Sequence, residues 1–278
     1  AEGFAARHRI PRSEFLDRIR PQMTKAEAER TFREAERLGV KSDASLARMP
    51  LLRATTTLLA IEPKARRQRA EVLLAELRMS ARRAARAHQR MQGRVALVLD
   101  NSHSMRGVRE QRQRPLAVAL STAFLLEALC DELRIFPLHA AGAGGEATLE
   151  VLIHTRPIGA TALADATLRA LRCDPTLVAI VSDGHETNPP GAVQAVLALF
   201  HKHLRKPSQQ LVHANPAFDP TLFSPRTIST HVPTLGVRDP SDLLVGMAFL
   251  RFATGVHSAA ELERSLERMA TPFIAEVA

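Results

Sequence analysis

Between Arg94 and Ala253, short β-branched runs alternate with stretches of helical spacing, and this alternation restricts the fold more than any other feature of the chain. The runs RVALVLD, ELRIFPLH, ATLEVLIH, TLVAIVSD, QQLVHA and HVPTLGV read as strands. Between them RPLAVALSTAFLLEALCDE, TALADATLRALR, PGAVQAVLALFHKHLRK and SDLLVGMAFLRFA have the spacing of helices. Parallel strands need long crossovers, and crossover helices cover both faces of a sheet. The prediction is therefore α/β: a doubly wound, mostly parallel sheet flanked by helices, Rossmann-like in outline. Such sheets bind ligands beyond the carboxyl ends of their strands, where the strand order reverses. Two of the expected strands end in aspartate there, Asp100 after VALVL and Asp183 after VAIVS.

The residues before this pattern differ in charge. Residues 1–93 carry 21 Lys and Arg against 11 Asp and Glu, and the remainder carry 17 against 18. The split predicts a basic helical module over 1–93 and an α/β domain with its C-terminal helices over 94–278. Thr24 and Glu27 form a capping-box pattern for a helix ending at Gly39. A second, long helix is expected from Pro63 to Gly93. Its apolar stripe, Ala70, Leu73, Leu74 and Leu77, gives way to Arg82, Arg83, Arg86 and Arg90. Those arginines read either as a solvated face or as an electrostatic footprint for RNA or an acidic partner. Aromatic residues are 4% of the chain, with neither Trp nor Tyr, so platforms for stacking bases are scarce.

VALVLDNSHSM, Val95 to Met105, runs from a buried-looking strand straight into oxygen-bearing side chains. Such oxygens are costly inside a protein unless they are paired, so the strand ends either in a surface turn or at a binding site. Asp100-Asn101-Ser102-His103-Ser104 resembles the Asp-x-Ser-x-Ser motif of von Willebrand factor A (VWA) domains. PIGATALADAT places Thr161 like that family's loop threonine, and IVSDGHET supplies Asp183 like its second aspartate. The three segments stand in the family's order, and the resemblance spans Arg94 to about Ala253.

The resemblance implies a VWA fold with a metal-ion-dependent adhesion site (MIDAS). By analogy Ser102, Ser104 and Thr161 coordinate Mg²⁺ or Mn²⁺ directly, and Asp100 and Asp183 bind it directly or through water. Hard oxygen ligands suit such a cation. A partner protein's Asp or Glu is then expected to complete the coordination. The family's intracellular bacterial members often work beside AAA+ ATPases of the MoxR type, which implies an adaptor. Two other readings stand beside this one: a Ro-like ribonucleoprotein component using the basic helix, and a metal-free scaffold. His103 departs from the family, which has Gly there, so its turn must accept a Cβ. Asn101 falls on a variable position and is given no role, while Glu186 is expected to cap or face water. His201, His203, His213, His231 and His257 lack coherent zinc spacing and read as structural or surface residues.

The chain has no Gly-x-Ser-x-Gly elbow, phosphate-binding Walker loop or His-Glu-x-x-His helix, so no enzyme is expected. GAGGE, Gly142 to Glu146, precedes an expected strand rather than a helix and reads as a turn. Cys130 and Cys173 are expected as buried free thiols. The N-terminal AEGFAARHRIPRSEF is charged, without an apolar signal core, and no run approaches the roughly 18 apolar residues of a membrane span. Those features point to the cytoplasm.

Overall fold

The computed structural model describes residues 7–24, 45–86, 88–107, 113–139, 145–206, 208–217, 225–253 and 255–275, with scattered positions between 27 and 38. Five parallel strands form one sheet: β1 (Met91–Leu99), β2 (Cys130–Pro137), β3 (Leu177–Val181), β4 (Gln210–Asn215) and β5 (Thr234–Gly236). Their spatial order is β2-β1-β3-β4-β5. The chain moves outward from β1 to β2, then returns to the other side of β1 and continues outward. The order therefore reverses between β1 and β3, where Leu99 lies opposite Val181.

The helices whose bounds lie within the described residues are α1 (Arg12–Ile19), α2 (Leu51–Ala60), α3 (Pro63–Gln68), α4 (Ala70–Ala85), α5 (Arg114–Leu129), the single turn α6 (Leu149–Leu152), α7 (Leu163–Arg172), α8 (Ala192–His203), α9 (Pro240–Ala253) and α10 (Ala259–Ala275). Period-two alternation along β1 sends side chains to two cores. Ala96 and Val98 pack with Leu163 and Ala166 of α7 and Val193 and Leu197 of α8. Val95, Leu97 and Leu99 face the other way, toward Leu116, Leu120 and Phe124 of α5 and Leu243 and Met247 of α9. All five of these strand residues are buried, which explains why β1 reads as a continuous apolar run.

α5 is apolar on nearly every face, and the layer outside it explains why. Leu58 of α2 and Leu73 and Leu77 of α4 join the same core as α5. The Thr55 hydroxyl donates to the Ala117 carbonyl at 3.1 Å, and Arg78 grips the Glu127 carboxylate from α4. The basic segment thus supplies a fourth layer, packed on the sheet's own helices. No helix among the described residues is long and apolar enough to cross a membrane.

Three local expectations are corrected. ATLEVLIH is no strand: Ala147 makes one antiparallel bridge to Ile135, and the chain then turns into α6. Leu149 and Leu152 of α6 and Ile153 just after it are buried, a helical spacing that the β-branched look of the segment masks. The long helix breaks at Arg69, whose φ of −116° and ψ of 18° are not helical, and it ends at Ala85 instead of Gly93. Met91 to Gly93 already belong to β1, so the expected boundary at 93/94 falls inside a strand. Gly93 stands at φ +84° where the register with β2 slips, and a Cβ there would lie 2.8 Å from Thr176 Cγ2. The third concerns Cys173, which is only half-buried, whereas Cys130 is buried as expected; both thiols are free.

The Thr24–Glu27 capping box is present, with the Thr24 N–H donating to Glu27 Oε2 at 2.8 Å. Gly39, and Gly142 to Gly144 of the GAGGE stretch, lie outside the described residues.

Candidate metal centre

β1 and β3 end side by side, so the residues that follow them meet. The Asp100 N–H donates to the Val181 carbonyl, extending the ladder one step past the strand. The next residues turn: His103–Arg106 form a single 3₁₀ turn, and Ser102, its cap, is extended. This turn brings Ser102 Oγ and Ser104 Oγ to 3.0 Å. Thr161, from the loop before α7, donates its hydroxyl to Ser102 Oγ at 2.9 Å. Three hydroxyls therefore form a row that runs from buried Thr161 and Ser102 to exposed Ser104.

Two carboxylates follow the ends of the same two strands. Asp100 is fully buried and accepts from the Ser102 N–H at 2.8 Å and from the Ser182 hydroxyl at 2.6 Å. Burial holds its carboxyl above the usual range, against the pull of those hydrogen bonds, and the charge of Asp183 adds to the rise. Asp183 accepts from the His185 N–H at 3.0 Å through Oδ1, and its Oδ2 has no partner among the described residues. All five residues expected from the sequence, Asp100, Ser102, Ser104, Thr161 and Asp183, thus lie at the switch point of the sheet. No three His, Cys, Asp or Glu side chains gather as a metal site among the described residues. Here the oxygens are two carboxylates and three hydroxyls.

The supporting residues were mostly invisible in the sequence. Ser182 orients Asp100, and its own carbonyl accepts from His213 Nε2 at 3.0 Å, while His213 Nδ1 accepts from the Thr234 hydroxyl. Burial lowers the His213 pKa to about 4, so the imidazole is neutral in the fold at neutral pH. Asn101, given no role above, pins two loops: its Nδ2 donates to the His139 carbonyl and to Thr155 Oγ1, and its Oδ1 accepts from the His139 N–H. The Thr187 hydroxyl accepts from the Thr161 N–H. Glu186 caps two helices, accepting from the Ala164 N–H near the start of α7 and from the Val193 N–H near the start of α8. That bond pattern holds it away from a ligand role.

His103 and His185 are exposed at the rim. His103 is absent from the positive-φ residues, so its Cβ costs no backbone strain, and its N–H donates to the Gly159 carbonyl. Gly184 does need its missing side chain: it stands at φ +77°, and a Cβ would meet Arg226 at 3.1 Å.

A divalent cation such as Mg²⁺ takes oxygen ligands. The Thr161–Ser102 and Ser102–Ser104 separations, 2.9 and 3.0 Å, are those of hydroxyl–hydroxyl hydrogen bonds. The donor set is all oxygen, as a hard cation prefers. The residues present therefore fit the group. Comparison with family models, curated proteins and solved structures finds no match for this chain.

Proposed function

We propose that this chain is a VWA-type, divalent-cation-dependent protein-binding module. The observation that carries the reading is the hydroxyl row Thr161–Ser102–Ser104 at the reversal of the sheet, where Asp100 and Asp183 follow the ends of β1 and β3. A bound Mg²⁺ or Mn²⁺ would supply a coordination position for an Asp or Glu of a partner protein. The chain's own residues do the rest. Ser104 brings the row to the surface, Asp100 is held by Ser182, and Asp183 keeps one oxygen without a partner among the described residues. A binding role is favoured over hydrolysis because the Ser102 and Ser104 hydroxyls bond to other hydroxyls, and among the described residues no imidazole bonds to either. An adaptor beside an AAA+ ATPase is the setting that fits this reading.

The test is Mn²⁺ titration followed by paramagnetic relaxation, together with co-purification from native extract with and without chelator. Circular dichroism serves as the folding control. Saturable Mn²⁺ binding that is lost in Asp100→Asn, and a partner released by chelator, support the module. A partner retained equally after chelation sinks the cation-dependent mechanism.

A further inference from the structure

Arg66 places a guanidinium inside the protein, and among the described residues no carboxylate bonds to it. It is 3% exposed, in α3, and its Nη1 donates to the carbonyls of Ile153 (3.0 Å) and Thr155 (3.1 Å) in the turn after α6. Its Nε is buried and has no acceptor. Glu62, one turn earlier, makes no bond to the guanidinium, and Glu150 of α6 is held by Arg78 at 3.0 Å. What surrounds Arg66 is more positive charge. The charges of Arg156 and Arg67 act on it, both from exposed residues that have no partner of their own among the described residues. His154 lies in the same turn, and its Nδ1 is buried without a partner.

Carbonyls satisfy hydrogen bonds but leave the charge, and a buried cation without a counter-ion is strongly disfavoured. Two further guanidinium groups add to that penalty. Burial, then Arg156 and Arg67, hold the pKa of Arg66 below its usual value, and burial, then Arg66 and Arg67, do the same to His154. A bound anion removes that penalty. Guanidinium forks match phosphate oxygens in pairs, and three cations favour a multiply charged oxyanion over a single carboxylate.

We propose that Arg66, Arg67 and Arg156 form a binding site for an oxyanion of the phosphate class, at the seam between α3 and the turn after α6. Arg66 is its floor, and the exposed Arg67 and Arg156 are its open side. The site is separate from the cation centre and stands whether or not that centre binds metal. Among the described residues Thr155 links the two regions: its carbonyl accepts from Arg66 and its hydroxyl accepts from Asn101.

The experiment is calorimetric titration of the full chain with pyrophosphate, at low ionic strength and without divalent cation. One saturable site is expected. Arg67→Glu with Arg156→Glu should weaken it about a hundredfold, roughly tenfold for each charge-assisted hydrogen bond removed, while the unliganded protein melts no lower than the wild type because the repulsion on Arg66 is relieved. Arg82→Glu with Arg86→Glu makes the same change of charge elsewhere on the surface and should leave affinity within about threefold. Equal weakening in the two pairs would mean that pyrophosphate responds to net charge alone, and the site would be refuted. No saturable binding to the wild type refutes it too. Displacement by phosphoserine amide assigns the site to a phosphorylated side chain, and displacement by orthophosphate alone assigns it to free phosphate; both outcomes keep the site.

Discussion

The hydroxyl row after β1 and the arginine run that starts in α4 and continues past its end are both dense polar stretches, yet the fold treats them in opposite ways. Asp100 and Ser102, Thr161, and Asp183 come from three separate segments and are all buried; the Thr161 and Ser102 hydroxyls bond to each other, and the charge of Asp183 acts on Asp100. The arginines come from one segment and disperse. Arg83 donates to the carbonyls of Ala47 and Met49, Arg90 reaches Asp131 at 3.5 Å, and Arg82 and Arg86 stay in solvent. The cause is geometric. Neighbouring parallel strands end side by side, so the turns that follow them aim at a shared space. Arg82 and Arg83 leave α4 at about 100° to each other, and Arg86 and Arg90 lie past its end, so this run has no common target. A polar stretch at a strand end is therefore the stronger sign of a site.

The sharpest way to break this contrast is Asp100→Asn. Cation affinity should fall by at least about a hundredfold, since a charged ligand becomes a neutral one at a buried position. Stability should move the other way. A carboxyl raised by burial favours its protonated form in the fold. Its contribution is full below the unfolded pKa of 3.8 and is lost as pH rises through the folded value. With chelator present at neutral pH, Asp100→Asn should therefore melt no lower than the wild type. Mn²⁺ titration and thermal melts read the two effects separately. Wild-type Mn²⁺ affinity in the variant would remove the centre from this position.

His213 gives the next effect and tests how firmly the floor of the centre is held. Its pKa falls from 6.5 to about 4 in the fold, because burial disfavours the imidazolium. The unfolded chain therefore binds the extra proton first, and stability is lost as pH drops from about 6.5 toward 4. The total is about 3 kcal/mol. Urea melts across that window should show the loss in the wild type and a much flatter profile in His213→Gln. An unchanged acid profile in that variant would place the sensitivity in the carboxylates.

Much of this architecture is legible in the residues. The alternation after Arg94 specifies the parallel sheet, and the aspartates after VALVL and VAIVS mark its switch point. The supporting side chains are not legible, because a serine or asparagine reads alike in a surface loop and in a buried network. Ser182 and Asn101 acquire their roles only when β1, β3 and the loops bearing His139 and Thr155 are brought together. α6 misleads for a different reason: its β-branched residues suggest a strand, and only burial at Leu149, Leu152 and Ile153 reveals the helical face. The break at Arg69 carries no Gly or Pro to announce it.

Within the arginine run itself, Arg83→Met should destabilise the chain by about 1–3 kcal/mol, because the carbonyls of Ala47 and Met49 lose a charged donor. Arg82→Glu and Arg86→Glu, on exposed positions, should stay within about 0.5 kcal/mol of the wild type by urea denaturation. Equal costs at the carbonyl-bonded and solvent positions would erase the distinction drawn between them.

The smallest effect concerns RNA. Of the four arginines, Arg82 and Arg86 alone have no partner among the described residues, so at most two phosphates can be neutralised there. Each phosphate contact on a single strand contributes about 0.7 to the slope of log affinity against log salt, which limits this stretch to a slope of about 1.4. No Trp or Tyr exists to add stacking. Fluorescence anisotropy with a labelled single-stranded RNA across a salt series should therefore show weak binding that fades by physiological salt. Arg82→Glu with Arg86→Glu should lower the slope by about that amount. Tight, saturable binding at physiological salt would overturn the contrast, since a dispersed array would then be acting as a site.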